Sequence, residues 1–195
     1  MKRTECNCMQ CQAPCMIMPG YLIPTDLMGY YMEVNQVGLF AAESAGIDGW
    51  EAFAAEHLDA SEGAKLLSPT GQIYRLRTLV PRSTREGRCK FYGDGNQCKI
   101  HKHSPFGCRN FNVCDTTKRD QYEAWHGMNE LRKAWQGEAE QIGELYTHLW
   151  HMLKAEGMVA MPLKKRRKKL MHRLDKIQRR QMAKARIFSD NVTKK

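Results

Sequence analysis

The sequence predicts a mainly α protein with a small β element, in which a cysteine-cluster domain is followed by a long helix and a basic C-terminal tail. Three observations predict this. Apolar residues recur at helical spacing in several stretches, the longest running from Tyr122 to Met152. One segment, Ile73 to Val80, alternates as a strand does. Eight cysteines fall into two groups of four, the first at Cys6, Cys8, Cys11 and Cys15, the second at Cys89, Cys98, Cys108 and Cys114.

A chain of 195 residues can bury roughly 70% of its unfolded surface, so it does not need disulfides to fold. No run of about 18 uncharged apolar residues is present, which argues against a transmembrane helix. Met1-Lys2-Arg3-Thr4-Glu5-Cys6 has no apolar stretch behind it, as an export signal would have. Cysteines in such a chain are expected to be reduced, in the cytoplasm, rather than paired as four disulfides.

The charge is unevenly placed. Between Pro162 and Lys195 lie fourteen Lys or Arg and two acids, a net +12, whereas the rest of the chain carries −2. Charge and pattern together divide the chain into a cysteine-cluster region, 1–115, a long amphipathic helix packing on it, 116–161, and a basic tail, 162–195.

Taken in order, residues 1–20 close on Pro19-Gly20 and read as loop. Pro24-Thr25-Asp26 resembles a helix start, with Leu27, Tyr30, Tyr31 and Val34 at helical spacing behind it. A second short helix is expected from Asp48 as N-cap, burying Trp50, Phe53 and Ala54. In the strand, Tyr74, Leu76, Thr78 and Val80 point one way, Arg75 and Arg77 the other. Residues 85–114 are Gly-rich and hold the second cysteine group.

Asp115 or Thr116 can then cap the long helix, whose stripe runs Tyr122, Trp125, Met128, Leu131, Trp135, Ile142, Leu145, Leu149 and Met152. Gly127, Gly137 and Gly143 each weaken that helix by about 1 kcal/mol, so packing must hold it. Gly157 and Pro162 end it. Its tryptophans share the stripe and read as core rather than as a base-stacking surface. In the tail, Lys164 to Lys169 are all Lys or Arg, and Leu170, Leu174 and Ile177 give a narrow apolar strip. Such a segment suits docking on a polyanion, either nucleic acid or an acidic protein.

The cysteines carry the chemistry. Soft thiolates select zinc, Cu(I) and iron–sulfur iron. Cys8-Met9-Gln10-Cys11 is a C-x2-C pair, in which a tight loop can aim two sulfurs at one centre. Four thiols within ten residues of a short polar segment leave little to bury, so a ligand is the expected source of its order. In the second group Gly87, Gly93, Gly95 and Gly107 allow a backbone that wraps an ion. Arg88, Lys90, Lys99 and Arg109 adjoin cysteines and favour the thiolate form. His101 and His103 lie among these cysteines as reserve ligands, whereas His148 and His151 suit the end of a helix. Ordinary buried cysteines are the alternative. No phosphate-binding glycine loop and no hydrolase signature is present.

The stretch Gly87-Arg88-Cys89-Lys90-Phe91-Tyr92, then Gln97-Cys98-Lys99-Ile100-His101, then Pro105-Phe106-Gly107-Cys108-Arg109-Asn110-Phe111 and Cys114, resembles the signature of the YkgJ-type cysteine-cluster proteins. Cys8-x2-Cys11-x3-Cys15 with Pro19-Gly20 and Pro24 is similar to that family's opening, so the resemblance spans about residues 6–114. The family is described as zinc- or iron-chelating. The resemblance implies that both cysteine groups serve one site region. Bringing Cys15 to Cys89 closes a loop of about 73 residues, at a cost of roughly 4 kcal/mol plus a constant. Structural zinc can supply about 10–16 kcal/mol.

The expected function is a metal site, structural or electron-carrying, holding an iron–sulfur cluster or zinc on these eight cysteines. Widely spaced groups with flanking bases favour the bulkier, anionic cluster. A metalloenzyme with an open site and a metal buffer or chaperone are the alternatives.

Overall fold

The computed structural model describes residues 15, 19–67, 72–93, 98–100, 102–109 and 140–162, together with positions 165, 168, 172 and 179. Its elements are helix α1 (Asp26–Asn35), helix α2 (Leu39–Glu43), helix α3 (Gly46–His57), strand β1 (Leu58–Leu67), strand β2 (Ile73–Pro81), the single turn α4 (Phe106–Arg109) and helix α5 (Glu140–Ala155). Helices with one small sheet are what the periodicity predicts. The boundary at 115/116 and the Tyr122–Trp135 half of the apolar stripe lie outside the described residues.

The start of α1 is held by an unexpected group. Thr25 occupies the N-cap position but makes no side-chain cap. The buried Asp26 carboxylate does the work instead, accepting hydrogen bonds from the Ile23 amide at 3.1 Å and the Phe106 amide at 2.7 Å. One carboxylate thus ties the approach to α1 to the distant turn α4. In α3, Asp48 lies within the first turn rather than at the N-cap, which is Ala45. A carboxylate there still faces the positive end of the helix, and Trp50, Phe53 and Ala54 are buried as expected.

β1 and β2 form an antiparallel pair from Leu58↔Pro81 to Leu67↔Ile73, with an irregularity between Ser61 and Ala64. The sequence gives little sign of β1. Leu58-Asp59-Ala60-Ser61-Glu62-Gly63 is poor in β-branched and aromatic residues, and its extended form comes from pairing. Single bridges widen the sheet on each side, Leu22 to Leu79 and Ala60 to Val159. The expected two-faced pattern of β2 holds only in part. Thr78 and Val80 are buried and Arg75 and Arg77 exposed, but Leu79, on the arginine face, is fully buried. The reason is α5, which lies against β1, β2 and α3.

On α5, Tyr146, Leu149 and Leu153 have no exposed surface and Trp150 is nearly covered. Leu145 and Met152 sit at the margin, so the buried face is rotated from the expected stripe. Arg77 and Lys154 lie over the Trp150 ring at 5.2 and 4.9 Å, and the Trp150 indole donates to the Ser61 carbonyl. The tryptophan is therefore core and cation platform together. His148 pairs with Glu51 at 2.6 Å and His151 with Arg77 at 3.1 Å, both near the surface. The helix stops as the sequence predicts. Gly157 has φ of +74°, the Met158 amide donates to the Leu153 carbonyl and the Gly157 amide to that of Lys154. These two bonds make a Schellman close.

One apolar core joins Leu22, Leu27, Tyr30, Phe53, Leu79 and Leu149 to Cys89, Phe91 and Ile100. The cysteine-bearing loops therefore rest directly on the helical body. Among the described residues, no helix is long and apolar enough to cross a membrane.

Candidate metal centre

Three backbone segments bring cysteines together. The first is a tight turn after β2. The Thr84 amide donates to the Arg88 carbonyl and the Gly87 amide to the Thr84 carbonyl, both at 2.8 Å, with Gly87 at φ +85°. A left-handed position of this kind suits glycine. The turn bridges Ser83 to Cys89 and seats Cys89 in the core.

The second segment continues from it. The Tyr92 amide donates to the Cys89 carbonyl, the Lys99 amide to the Phe91 carbonyl, and Tyr92 bridges to Cys98. The third is α4 with Cys108. It is pressed so closely on residues 20–21 that a β-carbon on Gly20 would collide with the Cys108 amide nitrogen and Sγ. A β-carbon on Gly107 would lie 2.6 Å from the Tyr21 nitrogen. Neither glycine can be larger without moving Cys108.

The first cysteine group meets the second at Cys15, whose carbonyl accepts the Cys89 amide at 2.8 Å. Electrostatics link the side chains. Burial pushes the Cys108 thiol well above the ordinary thiol range, and Cys15, Cys89 and Cys98 push it further by charge repulsion. Cys89 is buried, and Cys15 and Cys98 are partly buried. Cys6, Cys8, Cys11 and Cys114 lie outside the described residues. Among the described residues, no three His, Cys, Asp or Glu side chains are grouped as a metal ion would need. A backbone bond brings Cys15 to Cys89, but the four described thiols do not form a coordination cage.

The expected role of the flanking bases divides. Lys90 turns away, with its ammonium 3.3 Å from Glu56 and 3.0 Å from His57 on α3. Arg88 belongs to the turn that delivers Cys89. It acts on Tyr92 in opposition to Cys15, and its Nε is buried without a hydrogen-bond partner among the described residues. His103 sits on α1, 3.8 Å from Glu33, and a β-carbon at Gly29 would lie 2.8 Å from its Nδ1. It packs on that helix. His101 lies outside the described residues.

Four buried polar atoms lack partners among the described residues: Tyr30 Oη, Ser83 Oγ, Thr84 Oγ1 and Arg88 Nε. Three belong to the turn that delivers Cys89. The fourth is on Tyr30, whose hydroxyl is held protonated first by burial and then by negative charge at Cys89, Cys108, Cys98 and Asp59. Hydroxyl and guanidinium groups donate to anions. A metal held by several thiolates carries net negative charge, so this donor set fits such a group. Tyr30 and Asp26 escaped the sequence reading as site residues. At helical spacing they look like core and cap, and only their distant neighbours mark them.

Compared with known proteins, the chain matches no family model, no curated protein and no solved structure.

Proposed function

We propose that this chain is a metal-binding cysteine-cluster protein, holding an iron–sulfur cluster or zinc at a structural or electron-carrying site. The observation that carries the reading is the meeting of Cys15, from one sequence group, with Cys89, from the other, beside Cys98 and Cys108. The ligands would be drawn from these four with Cys6, Cys8, Cys11 and Cys114. The unpartnered donors of Tyr30 and of the turn that delivers Cys89 suit an anionic occupant, zinc–thiolate or cluster alike; the lean towards the cluster rests on the wide cysteine spacing and the flanking bases. Anaerobic purification with metal analysis and an optical spectrum tests it. Absorbance near 400 nm with bound iron identifies a cluster; colourless protein with zinc identifies a closed thiolate site. Protein that takes up neither under reducing conditions overturns the proposal.

The tail is the docking element of the same proposal, on nucleic acid or an acidic protein. Its support is the net +12 of residues 162–195 against −2 elsewhere. Lys165, Lys168, His172 and Arg179 are exposed. Binding to duplex DNA or RNA should fall by roughly 10³ to 10⁵ between 50 and 200 mM salt if six to ten phosphates are contacted. Equal binding by a chain ending at Met161 removes the tail from that role.

A further inference from the structure

We infer that the Tyr30 hydroxyl donates a hydrogen bond to a sulfur of the cysteine site when that site carries its metal, making Tyr30 a positioning residue for the ligand set. The inference rests on the metal-binding proposal and adds a residue to it.

Tyr30 lies in the middle of α1 with no exposed surface. Two edge-on ring contacts fix its plane, with Phe53 at 5.8 Å and 72° and with Phe91 at 5.7 Å and 85°. Phe91 is two residues from Cys89, and Cys89 and Cys98 pack in the same core as Tyr30. The ring is therefore held beside Phe91 in the core that contains Cys89, and its hydroxyl is buried without a partner among the described residues; burial, then negative charge at Cys89, Cys108, Cys98 and Asp59, keeps it protonated.

Phenylalanine would supply the same packing without burying an unsatisfied O–H, which native folds rarely tolerate. The other fully buried tyrosine makes the contrast. Tyr146 donates to the Leu22 carbonyl at 2.6 Å and accepts from the Leu79 amide at 2.7 Å. A neutral thiol is a weak acceptor. A thiolate is a strong one, because hydrogen bonds to charged acceptors are roughly twice as strong as neutral ones. Metal binding converts the first into the second, so the acceptor for Tyr30 arises with the bound metal. Donors to ligating groups fix their orientation, and donors to sulfur tune the potential of a cluster.

The test compares the full wild-type chain with Tyr30→Phe, both purified anaerobically, stripped, and reloaded with Zn²⁺ alone against a chelator. Tyr30→Phe should bind the same number of ions about 10- to 100-fold more weakly. Its metal-free form should melt no lower than metal-free wild type, because the substitution removes only the unpartnered hydroxyl. Tyr31→Phe, one residue along the same helix, should bind as wild type does. Equal affinity of Tyr30→Phe and wild type overturns the inference and leaves the metal site intact. A drop in metal-free melting that accounts for the affinity change assigns Tyr30 a structural role and also overturns it. Wild type that binds no ion defeats the metal-binding proposal itself. Should Tyr30→Phe fail to accumulate, exchange of the wild-type Tyr30 hydroxyl proton by NMR decides. Slower exchange on loading supports the bond; unchanged exchange overturns it.

Discussion

Two ends of one core contain buried tyrosines with opposite hydrogen bonding. At the α5 end, the Tyr146 hydroxyl is used twice, joining α5 to β2 and to the strand-like segment at Leu22. Around it Leu149 and Leu153 are fully buried. At the cysteine end, Tyr30 and the Ser83–Arg88 turn carry polar atoms without partners among the described residues. The chain supplies everything the first end needs. The second has polar atoms without partners among the described residues, beside the backbone bond that joins Cys15 to Cys89. Burial with internal hydrogen bonds organises one end, and a ligand is proposed to complete the other.

Substitutions can break or sharpen that contrast. The largest effect should come from Leu149→Ala, which opens a cavity among α5, the sheet and α3. A loss of about 2–5 kcal/mol is expected in urea unfolding, the same with and without metal. A metal-dependent loss would mean that the two ends are not separable.

Tyr146→Phe comes next. It leaves the Leu79 amide and Leu22 carbonyl to find other partners in the core, at about 1–3 kcal/mol, again independent of metal. Circular-dichroism melts of stripped and loaded protein check this.

Cys89→Ser reverses the pattern. Serine is close in size and loses the soft ligand, so metal analysis should show retention lost, while metal-free stability falls by only the cost of a buried hydroxyl, about 1–3 kcal/mol. If unfolding of the stripped protein shifts as much as that of Leu149→Ala, Cys89 is core and nothing more.

Gly20→Ala should be the subtlest in global stability. The added carbon meets the Cys108 backbone and Sγ, so the local clash moves α4 relative to residues 20–21 without touching α5. Faster alkylation of Cys108 and weaker metal retention, with urea unfolding of the α5 core unchanged, are the expected signs.

The way elements were readable follows the same division. α1 and α3 were legible because their apolar spacing is a local property of ten or twelve residues. The end of α5 was legible because Gly157 can take a left-handed conformation that others avoid. β1 was not, because nothing within Leu58–Leu67 prefers extension over helix; its pairing with β2 imposes it. Lys90 was read as a neighbour of thiols from its place beside Cys89, but its long side chain reaches Glu56 on α3.

In the candidate site, the sequence determined which groups are thiols, how they are spaced and where glycine must allow close approach. Those properties lie in residue type and short-range geometry. Only the tertiary structure decided that Cys15 bonds to the backbone of Cys89, that the Asp26 carboxylate reaches the Phe106 amide 80 residues away, and that the Tyr30 hydroxyl is buried without a partner among the described residues in the core that holds Cys89. A residue's helical spacing states which face it shares, but what lies against that face comes from segments distant in the chain. Burial and hydrogen bonding between such segments are settled only when the whole core closes.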